Sequence, residues 1–116
     1  MDAERAHGLG LRALGLTNAL PWIGPALTRA NQVSDPRLSQ PLFGRTFLNP
    51  VGLAAGFDKN GDHAAHWGAL GFGFAEVGTV TLKGQPGNER PRLFRLEQER
   101  SIQNAMGFNN EGSDEM

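Results

Sequence analysis

The chain of 116 residues has no cysteine and little else that carries chemistry of its own. Without cysteine there is neither a disulfide framework nor thiolate chemistry. Three dispersed histidines do not make a convincing metal site, so we predict that the chain binds no metal. Redox chemistry on such a polypeptide would need a borrowed cofactor.

Charge and long apolar runs are also scarce. The formal net charge is −1 and the arginines are scattered, which gives no broad basic surface, so nucleic acid is not an expected partner. No run of about 18 apolar residues is present, so no segment is expected to span a bilayer. The start, MDAERAH, does not have the pattern of a secretory signal, which predicts a cytoplasmic protein that at most touches a membrane surface.

The most informative stretch is NPVGLAAGFDKNG, residues 49–61. An apolar strand leads into Ala54, Ala55 and Gly56, which are small enough for a flat ring to lie against their backbone. Lys59 follows as the only cation of the segment. A lone lysine is usually a solvated surface charge, but this setting favours a cofactor ledge.

A second small and polar stretch, NAMGFNN, spans residues 104–110. It offers amide side chains, which donate and accept hydrogen bonds, among few charges. The two stretches together predict a site for a planar, polar molecule.

The first 30 residues predict two short helices with one apolar side, interrupted by Pro21 and Pro25. Two interpretations stay open for them: helices docked on the protein's own core, or helices that lie at a membrane surface. Residues 31–43 are polar, contain two prolines and predict a linker.

From residue 44 onward the pattern predicts an α/β fold. A buried strand, a short helix over 63–70 ended by Gly71, and a second strand over 74–82 imply a parallel pair with a right-handed crossover. The segments LFRLEQE and SIQNAMG predict two further short strands. Ser113 or Asp114 is placed to cap another helix. Because one complete strand-helix-strand unit is followed by a helix start, the chain is expected to be part of a longer protein.

Three motifs in this order carry a family resemblance: NPVGLAAGFDKNG, GFGFAEVGTVTLKGQPGNERPRLFRL and MGFNN. They resemble the amino-terminal part of dihydroorotate dehydrogenase, in its class 2, quinone-linked and membrane-associated branch. The resemblance covers roughly residues 44–112 and, more weakly, the first helix through DAERAHGLGLRAL.

The resemblance implies a (β/α)8 TIM barrel, of which this chain holds the first β-α-β portion after a helical region. It divides the chain into a membrane- and quinone-associated region (1–30), a linker (31–43) and the start of the barrel (44–116). The family oxidises dihydroorotate to orotate in pyrimidine biosynthesis, with flavin mononucleotide (FMN) as cofactor and a quinone as electron acceptor. It also implies a peripheral membrane protein, on the cytoplasmic face of the cell membrane if the source is bacterial.

The resemblance also implies site residues. The residues matching FMN contacts are Ala55, Gly56, Phe57, Asp58, Lys59, Thr79 and Asn104. Those matching the dihydroorotate site are Lys59, Asn104, Ala105, Met106, Gly107 and Phe108. His7 and Arg95 match positions near the inner end of the family's quinone tunnel. Because burying an unpaired arginine is costly, Arg95 is expected to have a partner or a polar ligand there.

Two family features have no match. The catalytic serine base is expected downstream of Met116, as are the glycine loops that bind phosphate, so the isolated chain is predicted to be inactive. The motifs leave two alternatives open: a fragment of another FMN-binding barrel oxidoreductase, and a non-catalytic module that associates with membranes.

Overall fold

The structure is a computed structural model, and it describes residues 1–17 and 20–116. Within this part the helices are α1 (Ala3–Leu16), α2 (Ile23–Asn31) and two 3-10 helices, Pro36–Leu38 and Ala64–Leu70. The strands are β1 (Gln40–Leu42), β2 (Arg45–Phe47), β3 (Gly52–Leu53), β4 (Phe74–Ala75), β5 (Leu93–Leu96) and β6 (Ser101–Asn104).

The amino-terminal helices form as the sequence predicts. Asp2 caps α1, where its carboxylate accepts a hydrogen bond from the backbone N–H of Arg5 at 2.9 Å. Pro25 does not break the second helix as expected, because it occupies the first turn of α2, where no intrahelical N–H bond is needed. α2 packs against the 3-10 helix Ala64–Leu70.

The predicted strand-helix-strand unit is present around a parallel pair. β3 pairs with β4, with Gly52 opposite Phe74 and Leu53 opposite Ala75. The connecting helix is of the 3-10 type and ends at Gly71, whose φ of +91° is readily adopted by glycine. A side chain has no room at Gly52, since an added Cβ would clash with the Phe74 ring.

The second strand is much shorter than the predicted 74–82. β3 offers only a two-residue ladder, and the chain after β4 leaves it. Gly78 then donates its N–H to the carbonyl of Lys59 at 2.8 Å, which directs this segment toward the loop after β3.

Two antiparallel hairpins complete the described strands. The pair β5–β6 confirms the prediction of two short strands. The pair β1–β2 was not predicted, because Pro41 lies in a segment interpreted as linker. Proline is tolerated in such an exposed edge strand. Residues 113–115 form a turn and not the first turn of the expected helix.

The apolar core of the described residues is small. Its buried members are Ala3 and Trp67, and the Trp67 ring meets the edges of Phe57 and Phe72 with centroids 5.7 and 6.3 Å apart. Large apolar side chains stay exposed, among them Val51, Val77, Val80 and Leu82. The described residues therefore expose apolar surface that is available for contacts beyond this chain.

Candidate functional site

A cleft of about 750 Å³ lies between α1, the loop after β3 and the β5–β6 hairpin. It brings together most of the residues singled out in the sequence. Those lining it are His7, Ala55, Gly56, Phe57, Asp58, Lys59, Arg95, Asn104 and Met106. His7 and Met106 lie near opposite ends of the sequence, and only the fold brings them together in this cleft.

The small-residue loop forms an open ledge in this cleft. Ala54, Ala55 and Gly56 are all exposed, as a ledge for a ring requires. Gly56 has a φ of +95°, and a Cβ built there meets no described atom within 4 Å. The space above the loop is thus free, and the geometry fits a flat ligand laid against the backbone.

Lys59 supplies positive charge beside this ledge. Its side chain is half-buried, and burial lowers the pKa of its ammonium group below the ordinary value of 10.5. The positive charge of Arg92 lowers this pKa further, whereas the carboxylate of Glu4 raises it. Lys59 therefore gives up its proton more readily than an ordinary surface lysine.

His7 connects α1 to the ledge. Its Nε2 lies 2.7 Å from the carbonyl oxygen of Phe57, and since a carbonyl only accepts, Nε2 carries the proton and donates. The two rings also meet edge to face, with centroids 4.7 Å apart. The predicted quinone-site histidine is thus bonded directly to the predicted FMN loop.

The β5–β6 hairpin turns one face toward the cleft. Arg95 lies opposite Ile102 and Leu93 lies opposite Asn104, and the alternation of a strand places all four on the same side. Arg95 is exposed and not buried as expected, because it lies on an open hairpin. Its Nη1 donates to the carbonyl oxygen of Met1 at 2.8 Å, which provides the expected partner.

Four predicted residues are not among the described residues that line this cleft: Thr79, Ala105, Gly107 and Phe108. Thr79 and Phe108 are exposed. Gly107 approaches another part of the protein, since an added Cβ would lie 2.7 Å from Asn88. Ala105 uses its backbone N–H to bond the carbonyl of Arg92 at 2.9 Å. Their ligand contacts stay predictions.

Asp58 lines the cleft, but its carboxylate is used inside the protein. It is 2% exposed, and its Oδ2 accepts hydrogen bonds from the Trp67 indole at 2.9 Å and the His63 backbone at 3.0 Å. Asp58, Asp62 and His63 each offer one side-chain atom that could bind a metal ion, and these three atoms lie within 4.8 Å of one another. This grouping is closer than the dispersed histidines of the sequence suggested. The cofactor contact of Asp58 stays a prediction, and these two hydrogen bonds already occupy its Oδ2.

Sequence reasoning did not name Glu4, Arg92 or Asn109 as site residues, although Asn109 lies in the polar stretch NAMGFNN. Glu4 and Asn109 line the cleft, and Arg92 is a buried arginine paired with Glu4 at 2.7 Å. The partners are 88 positions apart, and neither lies in a stretch with an unusual composition. No local signal in the sequence distinguishes Glu4 and Arg92 from ordinary surface charges.

The parallel β3–β4 pair and the helices place the chain among α/β proteins. It belongs to the dihydroorotate dehydrogenase family, whose sequence model matches residues 37–116.

Named relatives agree with this membership. The chain is 59% identical over 114 residues to a dihydroorotate dehydrogenase (quinone) of Sulfurovum sp. (strain NBC37-1), an alignment of 96% of this chain and 31% of the relative. It is 54% identical over 113 residues to that of Deinococcus deserti, over 97% of this chain and 31% of the relative. The chain thus spans just under a third of the length of these relatives.

Solved structures show the same likeness. The crystal structure of DHODH from Eimeria tenella in complex with ferulenol matches 97% of this chain and 28% of its own, with a TM-score of 0.76 and 42% identity. The ligand-free type of that protein matches with a TM-score of 0.74 and 41% identity. Among the described residues, no helix combines the length and apolar character needed to cross a bilayer.

Proposed function

We propose that this chain is the amino-terminal part of a quinone-dependent dihydroorotate dehydrogenase, which oxidises dihydroorotate to orotate in pyrimidine biosynthesis. One observation carries the proposal: a single cleft collects the small-residue ledge, Lys59, Asn104, His7 and Arg95. In this proposal, the chain contributes the first β-α-β portion of a (β/α)8 barrel. A helical region (1–30) and a linker (31–43) would precede the start of the barrel (44–116).

FMN is the cofactor that we propose for this cleft. The exposed backbone of Ala55 and Gly56 would hold the flat ring, and Lys59 would lie beside it. When bound, FMN accepts the electrons removed from the substrate. The Lys59 ammonium stabilises negative charge that develops nearby, and its half-buried position strengthens this effect because water screens it less.

Dihydroorotate is the proposed substrate. Lys59 would pair with its carboxylate, and the Asn104 amide would donate to and accept from the ring edge. Met106 lines the same cleft and adds apolar contact. A catalytic base is expected downstream of Met116, so we expect the isolated chain to be inactive.

The quinone would enter beside α1. His7 on α1 and Arg95 on β5 both line the cleft, and both side chains carry hydrogen-bond donors. A peripheral position on the cytoplasmic face of the membrane would bring the quinone to this entrance.

The test uses the full-length protein. It should purify yellow, orotate should perturb its flavin absorbance, dihydroorotate should bleach the flavin, and a quinone should restore the colour. The isolated 116-residue chain, which is expected to be inactive, serves as the control. A flavin spectrum that orotate leaves unchanged would favour another FMN-binding barrel. A colourless protein whose residues 1–35 float with liposomes would favour a non-catalytic module.

A further inference from the structure

Glu4, in the first turn of α1, reaches across to two arginines that precede β5. Its Oε1 accepts hydrogen bonds from Nη2 of Arg92 at 2.7 Å and from Nη2 of Arg90 at 2.9 Å. Its Oε2 lies 3.3 Å from Nε of Arg92. The Arg92 side chain is 6% exposed and that of Arg90 is 72% exposed, so the pair with Arg92 is the less screened of the two.

Arg92 uses its remaining donors on the chain around the second polar stretch. Its Nη1 donates to the carbonyl oxygens of Pro86 at 2.6 Å and Asn88 at 3.0 Å. Asn88 in turn donates from its backbone to Met106 at 3.1 Å and from its side chain to Ala105 at 2.9 Å. One guanidinium group therefore connects α1 with the segment that holds the predicted substrate residues.

Glu4 and His7 are three positions apart on α1, so they share a face of the helix. Both line the cleft. An anchor at Glu4 therefore also fixes where His7 lies above the carbonyl of Phe57.

We propose that Glu4 is a positioning residue, which with Arg92 holds α1 against the cleft and so keeps His7 and the quinone entrance in place. The consequence for the quinone rests on the proposed function, whereas the anchoring of α1 does not.

Electrostatics near the ledge agree with this role. The carboxylate of Glu4 raises the pKa of Lys59, and the guanidinium of Arg92 lowers it. As long as the two charges are paired, their effects on Lys59 oppose each other. Loss of the carboxylate leaves the charge of Arg92 uncompensated.

The experiment compares Glu4→Gln with Asp2→Asn in the full-length protein. Asp2 is a matched acidic residue whose hydrogen bond stays within α1, at the N–H of Arg5, and asparagine also caps helices. In Glu4→Gln, we expect amide hydrogen exchange in α1 to be about tenfold faster. We also expect the KM for quinone to rise about fivefold, while the single-turnover rate of flavin reduction at neutral pH stays within about twofold. Asp2→Asn should match the wild type in all three measurements.

Unchanged exchange in α1 would overturn the anchoring, and faster exchange with an unchanged quinone KM would overturn the positioning role. If Glu4→Gln does not fold, Glu4→Asp keeps the charge on a shorter side chain and should show smaller changes in the same directions. Hydrogen exchange requires no turnover, so it tests the anchor even if the full-length protein has no dehydrogenase activity.

Discussion

Nε2 of His7 donates to the carbonyl oxygen of Phe57 at 2.7 Å, a contact between residues 50 positions apart. It fastens α1 to the loop proposed to support FMN. The amino-terminal helix is therefore part of the cleft wall.

Replacement of His7 tests this contact. His7→Ala removes one hydrogen bond and one ring contact, together worth about 1–2 kcal/mol, so we expect the KM for quinone to rise about fivefold or more. Steady-state kinetics of the full-length enzyme measure it. His7→Gln retains a donor, so its KM for quinone should lie between those of the wild type and His7→Ala. Arg12 is exposed on the same helix, and Arg12→Ala should leave this KM unchanged. Wild-type kinetics for His7→Ala would show that the contact has no role.

Lys59 is expected to matter for flavin reduction. Lys59→Ala removes the charge beside the ledge and should slow single-turnover reduction by dihydroorotate about 10²-fold. The other lysine of the chain, Lys83, is exposed, and Lys83→Ala is the matched control. Equal reduction rates in the two variants would refute the role of Lys59.

The lowered pKa of Lys59 predicts a pH dependence. As pH rises through this lowered pKa, the folded protein loses the ammonium charge, so the reduction rate should fall with a midpoint below 10.5. Glu4→Gln should move the midpoint to lower pH, because the carboxylate of Glu4 raises this pKa. Stopped-flow reduction across alkaline pH measures the midpoint, and a shift to higher pH would contradict the assignment.

The same group affects stability with a defined sign. Between the folded pKa and 10.5 the unfolded chain binds more protons at Lys59 than the folded protein does. The contribution of Lys59 to the free energy of unfolding therefore increases with pH across that window. Urea unfolding of the wild type and of Lys59→Met across this pH window would measure the contribution of Lys59 as the difference between their free energies of unfolding.

Arg95 is expected to act on the quinone side. Arg95→Ala should slow reoxidation of the flavin by quinone and leave reduction by dihydroorotate nearly unchanged. Separate stopped-flow measurements of the two half-reactions test this, with Arg45→Ala, an exposed arginine of β2, as control. Equal slowing of both half-reactions would place Arg95 elsewhere.

Asp58 is expected to be structural. Asp58→Ala leaves the Trp67 indole and the His63 backbone N–H without their acceptor, which should destabilise the full-length protein by about 2–4 kcal/mol. Thermal unfolding measures the loss, and Asp62→Asn, an exposed neighbour, is the control. A folded Asp58→Ala protein with normal stability but no flavin would instead assign the side chain to the cofactor.

Local patterns predicted the parts of the fold that depend on local interactions. The 3-10 helix ended by Gly71 and the β5–β6 hairpin follow from turn residues and apolar periodicity. The predicted length of β4 was wrong, because the length of this strand depends on how many residues of β3 are available for pairing. The linker prediction missed β1, whose formation depends on its partner strand.

The candidate site divides in the same way. Motif and family resemblance singled out Lys59, His7 and Arg95, and the fold places all three on one cleft. The same resemblance could not separate Asp58, whose carboxylate is buried against Trp67, from the exposed residues that precede it. The pair of Glu4 with Arg92 required the fold, because a charge gives no sign of which distant charge it meets.

Because Gly52 contacts the Phe74 ring, the size of the residue at position 52 on β3 limits the size of the residue at position 74 on β4. A larger residue fits at position 52 only if a smaller side chain replaces the phenylalanine at position 74. Homologous chains that depart from glycine at this point should carry a compact residue in place of the phenylalanine, so the two columns of an alignment should vary together.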